Sequence, residues 1–167
     1  MKTRYFSLIF ILIFALFYQT NSQDWATSAG SCYAKGDKML DIGVPLPFYP
    51  LGFHAAFDYG FHDAISGGGG IGFRTYYFHP TYLTFLARAA FHPFNLTVLQ
   101  DKIKVRDRLD VYAGLTFWFG PSLDGYWPDY WFREYIGARW HFSPKVSVFI
   151  EDCGGFGYLD GGLTIKF

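Results

Sequence analysis

The sequence predicts an all-β protein, an eight-stranded antiparallel transmembrane up-and-down β-barrel. Three observations carry that fold class. The first is Tyr158-Leu159-Asp160-Gly161-Gly162-Leu163-Thr164-Ile165-Lys166-Phe167, where Leu159, Leu163, Ile165 and Phe167 share one face and Asp160, Thr164 and Lys166 the other. That is the two-residue period of a strand. Its apolar face runs out to Phe167, as expected of a strand lying between lipid and a polar lumen. The second is composition: aromatic residues make up 23% of the chain and glycine 19 of 167 residues, both high for a soluble domain. The third is that no apolar stretch after residue 22 matches the roughly 20 residues of a spanning helix, whereas a membrane-crossing strand needs only about 9–11.

Residues 1–22 have the order of a secretory signal peptide. Lys2 and Arg4 are followed by an apolar run from Phe6 to Tyr18, broken only by Ser7, then by polar Gln19-Thr20-Asn21-Ser22. Cleavage is expected after Ser22. The run is too short for a membrane anchor, which takes about 20 residues. Residues 23–36 are then a periplasmic N-terminal segment and 37–167 the barrel domain, placed in the outer membrane after export, with no periplasmic domain to follow. Setting aside Lys2 and Arg4 leaves 12 of the 14 basic residues against 14 acidic ones, a net charge of −2. Nothing in that balance attracts nucleic acid by bulk charge.

Alternation and turn residues mark eight strands in order. The first is Asp37–Leu46, stopped by Pro45 and Pro47; the second is Leu51–Gly60, before His62-Asp63. The third, Ile65–Phe78, ends at His79-Pro80, and the fourth is Tyr82–Phe91. The fifth, Leu109–Gly120, ends at Pro121-Ser122. The sixth is Phe132–Phe142 and the seventh Lys145–Cys153, joined through Ser143-Pro144. The eighth is Tyr158–Phe167, after Gly154-Gly155. Proline and glycine end strands because one lacks the ladder donor and the other carries no side chain to pack. With both termini on the periplasmic side, Ser143-Pro144-Lys145 is a periplasmic turn and the aromatic segment Pro121–Trp131 is external. Pro93–Arg108 is long for a periplasmic turn. It reads equally as a short amphipathic helix, with Leu96, Leu99 and Ile103 on one side, or as an extension of a flanking strand.

The same alternation turns ten charges inward. The acids are Asp41, Asp58, Asp110, Glu151 and Asp160; the bases are Arg74, Arg88, Arg133, Arg139 and Lys166. An eight-stranded barrel has an interior that side chains fill, and charges there must pair or bear a large desolvation cost. Five against five is the balance of a structural network that fixes register, and Asp110 and Glu151 flank Arg139 as its first partners. Gly68, Gly70, Gly72, Gly114, Gly137 and Gly162 share the inner face and leave room for large neighbours. The Gly67–Gly70 run lacks the lysine and helix start of a phosphate loop.

No catalytic constellation, cofactor or metal site emerges. The five histidines have no helical metal spacing, and no Gly-x-Ser-x-Gly elbow is present. His54 and Asp58 share a strand face but do not form a dyad by spacing. His141 and Ser143, at a strand end and turn, read as surface residues. Two cysteines in an exported chain permit one disulfide; with Cys32 before the first strand and Cys153 near the far end of the seventh, it would have to span most of the barrel height, against a limit of roughly 7 Å between Cα atoms.

Ala87-Arg88-Ala89-Ala90-Phe91-His92, Leu109-Asp110-Val111-Tyr112-Ala113-Gly114-Leu115 and Tyr135 to Lys145 carry a resemblance, continued by Val148-Phe149-Ile150-Glu151 and Gly161 to Phe167. The chain resembles the small outer-membrane β-barrel family of Bacteroidota, OmpA-like in the transmembrane part only. Asp152-Cys153 departs from the hydrophobic-glycine strand end of that pattern. The resemblance implies an eight-stranded barrel whose Phe167 is an assembly signal read by the barrel-assembly machinery; it supplies no active site. The expected role is non-enzymatic: a structural scaffold in outer-membrane lipid, or an accessory subunit of a larger outer-membrane complex. The alternatives are a membrane enzyme acting on lipid or lipopolysaccharide, and a secreted lipocalin-like binder of small ligands, whose inside is apolar and outside polar.

Overall fold

The computed structural model describes residues 32–46, 51–76, 79–96, 99, 102–152 and 159–167. The expected signal peptide, Phe78, Cys153, Gly154-Gly155 and Tyr158 lie outside the described residues. Eight strands follow one another: β1 (Lys38–Leu46), β2 (Leu51–His62), β3 (Ile65–Tyr76), β4 (His79–Phe91), β5 (Leu109–Gly120), β6 (Asp129–His141), β7 (Val146–Asp152) and β8 (Leu159–Lys166). Each pairs antiparallel with the next, and β8 pairs back onto β1 to close the barrel. Closure leaves no strand edge unpaired.

The alternation read in the sequence is the alternation of the barrel wall. Asp41, His54, Arg88, Asp110, Arg139 and Glu151 are buried on the inner side, while Ile42, Phe53, Phe85, Phe117, Ile136 and Ile150 are exposed on the outer side. Two strands start earlier than alternation indicated. β6 begins at Asp129 rather than Phe132, because its ladder with β5 continues to Gly120 opposite Asp129. β4 begins at His79 despite Pro80, past a register shift between Arg74 and Tyr76; a proline is tolerated at such a strand end.

Two ends of the barrel differ. The starts of β1, β3, β5 and β7 define a near end, which also carries the 62–64 turn, the 92–108 connection and the 142–145 turn. The far end carries the 121–128 connection, with Trp127 88% exposed. The 92–108 connection extends neither β4 nor β5. It holds a 3-10 helix at Pro93–Asn95 and turn bonds, Ile103 N–H to Leu99 C=O at 3.1 Å and Leu109 N–H to Val105 C=O at 2.8 Å. The residues just before β1 do not hang free of the barrel. Cys32 and Tyr33 are buried. They are held by Cys32 N–H to Arg106 C=O at 3.0 Å and by Gly36 N–H to Gly60 C=O at 2.8 Å, so this segment corks the near end.

Candidate functional site in the barrel lumen

Two arginines, Arg88 on β4 and Arg139 on β6 with β5 between them, organise the lumen. Arg88, from β4, donates through Nε to Asp58 Oδ1 at 2.9 Å and through Nη2 to Asp58 Oδ2 at 2.5 Å; it also reaches Asp41 and, at 3.2 Å, Glu151 Oε1. Arg139, from β6, donates through Nη2 to Asp41 Oδ2 at 2.6 Å and Asp58 Oδ2 at 3.2 Å. Through Nη1 it reaches Asp110 Oδ2 at 3.4 Å, its ladder partner on β5. Tyr112 lies under the Arg139 guanidinium at 4.2 Å, and its hydroxyl donates to Glu151 Oε1 at 2.7 Å. Thr164 on β8 donates to Asp41 Oδ1 at 2.5 Å. All these side chains are buried. A planar guanidinium suits this work, because its fork of donors binds several carboxylates in fixed directions.

Register explains how residues on non-adjacent strands meet. Asp58 on β2 and Arg88 on β4 both stand opposite Gly68 on β3, between them. A Cβ on Gly68 would lie 2.6 Å from Asp58 Oδ1, so the missing side chain is what lets the pair form. Tyr112 on β5 and Glu151 on β7 likewise meet across Gly137 of β6, where a Cβ would come within 2.5–2.6 Å of the Tyr112 ring.

The ten expected inward charges do not make one network. Asp41, Asp58, Asp110 and Glu151 converge on Arg88 and Arg139, and Arg139 reaches Asp41 and Asp58 but has no bond to Glu151 among those described. Asp160 is buried on β8, opposite Glu151 in the ladder. The rest are rim pairs. Arg74 binds Asp129 at 2.5 Å and stacks near Tyr82 at the far end, and Arg133 lies 5.2 Å from the Trp131 ring. Lys166 binds Asp37 at 2.6 Å at the near end. Asp129 escaped the sequence reading because it lies before the expected start of the sixth strand, whereas Asp37, first residue of the expected first strand, shares a face with Asp41 but was not counted among the inward charges. Phe167 is exposed, its ring 6.3 Å from that of Phe57.

Three further side chains stand in series at the near end. His92 Nδ1 lies 2.8 Å from Asp110 Oδ1, and His92 Nε2 lies 2.9 Å from Ser66 Oγ. Ser66 and His92 carried no signal in the sequence, since they share no motif and become neighbours only through the β3–β4 ladder. His141 is buried on the inner face rather than at the surface, because β6 keeps its alternation to its last residue. Asp58 is taken up by arginine, and His54 faces Phe149 at 6.1 Å, so no dyad joins them. Cys32 carries a free thiol; burial, with Asp110 nearby, pushes that thiol well above its ordinary range, which leaves it unreactive. Among the described residues no group of His, Cys, Asp and Glu is placed to hold a metal ion. No protein-family model matches the chain, and no curated protein matches it.

Proposed function

We propose that the protein is a membrane-spanning barrel of the outer membrane with a structural role, a small scaffold or an accessory subunit of a larger outer-membrane complex. The observation that carries this reading is the inversion of its two faces. The outer face is a belt of exposed Phe, Leu, Ile and Val, and the inner face holds carboxylates and guanidinium groups. Such a wall is unfavourable in water and favourable in lipid, where closed barrels satisfy every backbone group. A lipocalin-like binder of small ligands has the opposite polarity, and the buried ion pairs leave its apolar cavity no place. A lumen crossed by Arg88 and Arg139 supports a brace more than a conduit. The test is extraction and gel mobility. The reading expects the protein to stay with the membrane until detergent is added and to migrate faster unboiled than boiled. Recovery in the soluble fraction, with equal mobility before and after boiling, overturns it. Copurification in mild detergent then separates a lone scaffold from a subunit.

A further inference from the structure

Glu134 is a charge on the apolar side of the wall. On the outer face of β6 it lies between Phe132 and Ile136, and all three are exposed. Its ladder partner on β5 is Leu115. Toward the far end the same face continues with Phe117 opposite Phe132 and Phe119 opposite Tyr130. Toward the near end it continues with Ala113 opposite Ile136, Val111 opposite Ala138 and Leu109 opposite Trp140. Apolar and aromatic rows thus lie on both sides of the carboxylate, which sits inside the belt rather than at its border. The other outward-facing Asp, Glu, Lys and Arg residues of the described strands are Lys38, first in β1, and Asp152, last in β7.

A carboxylate that faces hydrocarbon has given up its water and needs a cation in exchange. None of the described residues pairs with Glu134. Its neighbour Arg133 turns inward, to the Trp131 ring at 5.2 Å. Asp152 stands opposite Ile136, so the outer face beside Glu134 holds a second acid and no base. A matching cation has to come from outside the chain. The ammonium of a lipid headgroup stays at the border of the bilayer, beyond Phe119 and Tyr130. A lysine or arginine fixed in another membrane protein can stand deeper, where a partner is what keeps it there. A second copy of this chain, inserted the same way up, offers from its described strands only Lys38, at the near end. The surface next to Glu134 also permits close approach. Ala89 of β4 pairs with Leu115 in the row of Glu134, Ala87 and Ala113 lie in the rows on either side, and all three alanines are exposed. Short side chains let a second wall or helix come near in lipid.

We propose that the outer wall of β4–β6 is the docking surface for a second, different membrane-spanning protein, which sets an arginine or lysine against Glu134 inside the bilayer. The proposal rests on the reading of the chain as an outer-membrane barrel, and it names the face by which the chain serves as a subunit. The alanines supply the close fit and Glu134 the choice of partner. A neighbour without a base at that depth leaves the carboxylate unmatched in lipid, which counts against every wrong pairing.

The photo-crosslinker p-benzoylphenylalanine is placed at Leu115, beside Glu134, or at Ile42 on β1, across the closed barrel from β5. The full chain is irradiated in its native membranes, and the gel mobility of unboiled samples verifies that each variant has assembled. The expected result is one discrete protein adduct from position 115, at least tenfold stronger than from position 42. Glu134→Gln, which keeps the shape and removes the charge, should weaken it at least fivefold. The adduct is then identified by mass spectrometry, and the lipid-facing arginine or lysine nearest its crosslinked residue is changed to Glu. That change should also remove the adduct, and Glu134→Lys should restore it; if Glu134→Lys does not assemble, the two single changes decide. An adduct that withstands Glu134→Gln, equal adducts at both positions, an adduct of two copies of this chain, or adducts with lipid alone overturns the proposal. Absence of the chain from the membrane fraction overturns the outer-membrane reading itself. A membrane-embedded, heat-modifiable chain with no protein adduct at position 115 overturns the docking surface alone.

Discussion

Asp41 accepts from Arg88, Arg139 and Thr164 with only two oxygens, and this density of partners sets what single substitutions do. Truncating Arg139 leaves Asp41, Asp58 and Asp110 short of a donor inside a sealed lumen. We expect Arg139→Ala to cost about 3–5 kcal/mol, the usual range for breaking a buried pair. Adding Asp41→Asn should recover part of that loss, and a double-mutant cycle on denaturant unfolding in detergent measures the coupling. Gly137→Ala fails for a different reason. The new methyl meets the Tyr112 ring at 2.5–2.6 Å, and we expect a loss of about 1–3 kcal/mol from overpacking, read in the same unfolding experiment. Which face each charge takes was legible, because alternation needs nothing beyond the local sequence. Which charge meets which was not. The bond from Arg139 to Asp41 crosses the lumen, and that from Arg88 to Asp58 depends on Gly68 standing between them in the ladder.

Among elements, the strands declared themselves and the pieces between them did not. β5 matched its residues end to end, since Leu109–Gly120 alternates without interruption. β6 gained Asp129 to Trp131 only through pairing with β5, a cross-strand effect that a single strand's pattern does not contain. The segment before β1 has no period at all, so its burial was invisible until Tyr33 and Cys32 were seen against the 92–108 connection. Asn95 joins these pieces, donating to Tyr33 C=O at 3.0 Å and Asp63 C=O at 2.8 Å. Asn95→Ala should loosen the cork and spare the barrel. The expected result is faster hydrogen exchange at the Cys32 and Gly36 amides with unchanged exchange in the centre of β5. Equal acceleration in both places would mean that cork and barrel open as one unit.

For the molecule as a whole, Arg88, Arg139 and Tyr112 are buried inside the wall, and an eight-stranded barrel is expected to have its interior filled by side chains. Purified protein added to a planar lipid bilayer should give no discrete conductance steps, and regular openings would contradict the sealed lumen. Asp41 adds a constraint on timing. Its partners lie 47, 98 and 123 positions along the chain, so no partly assembled ribbon of neighbouring strands can satisfy it. Contacts of such long range form late and slowly. An intermediate with β1 in place and β8 absent would hold a carboxylate with no complete set of donors. The lumen thereby penalises half-built barrels: Asp41 gathers Arg88 of β4, Arg139 of β6 and the Thr164 hydroxyl of β8 together only once the ladder is closed between β1 and β8.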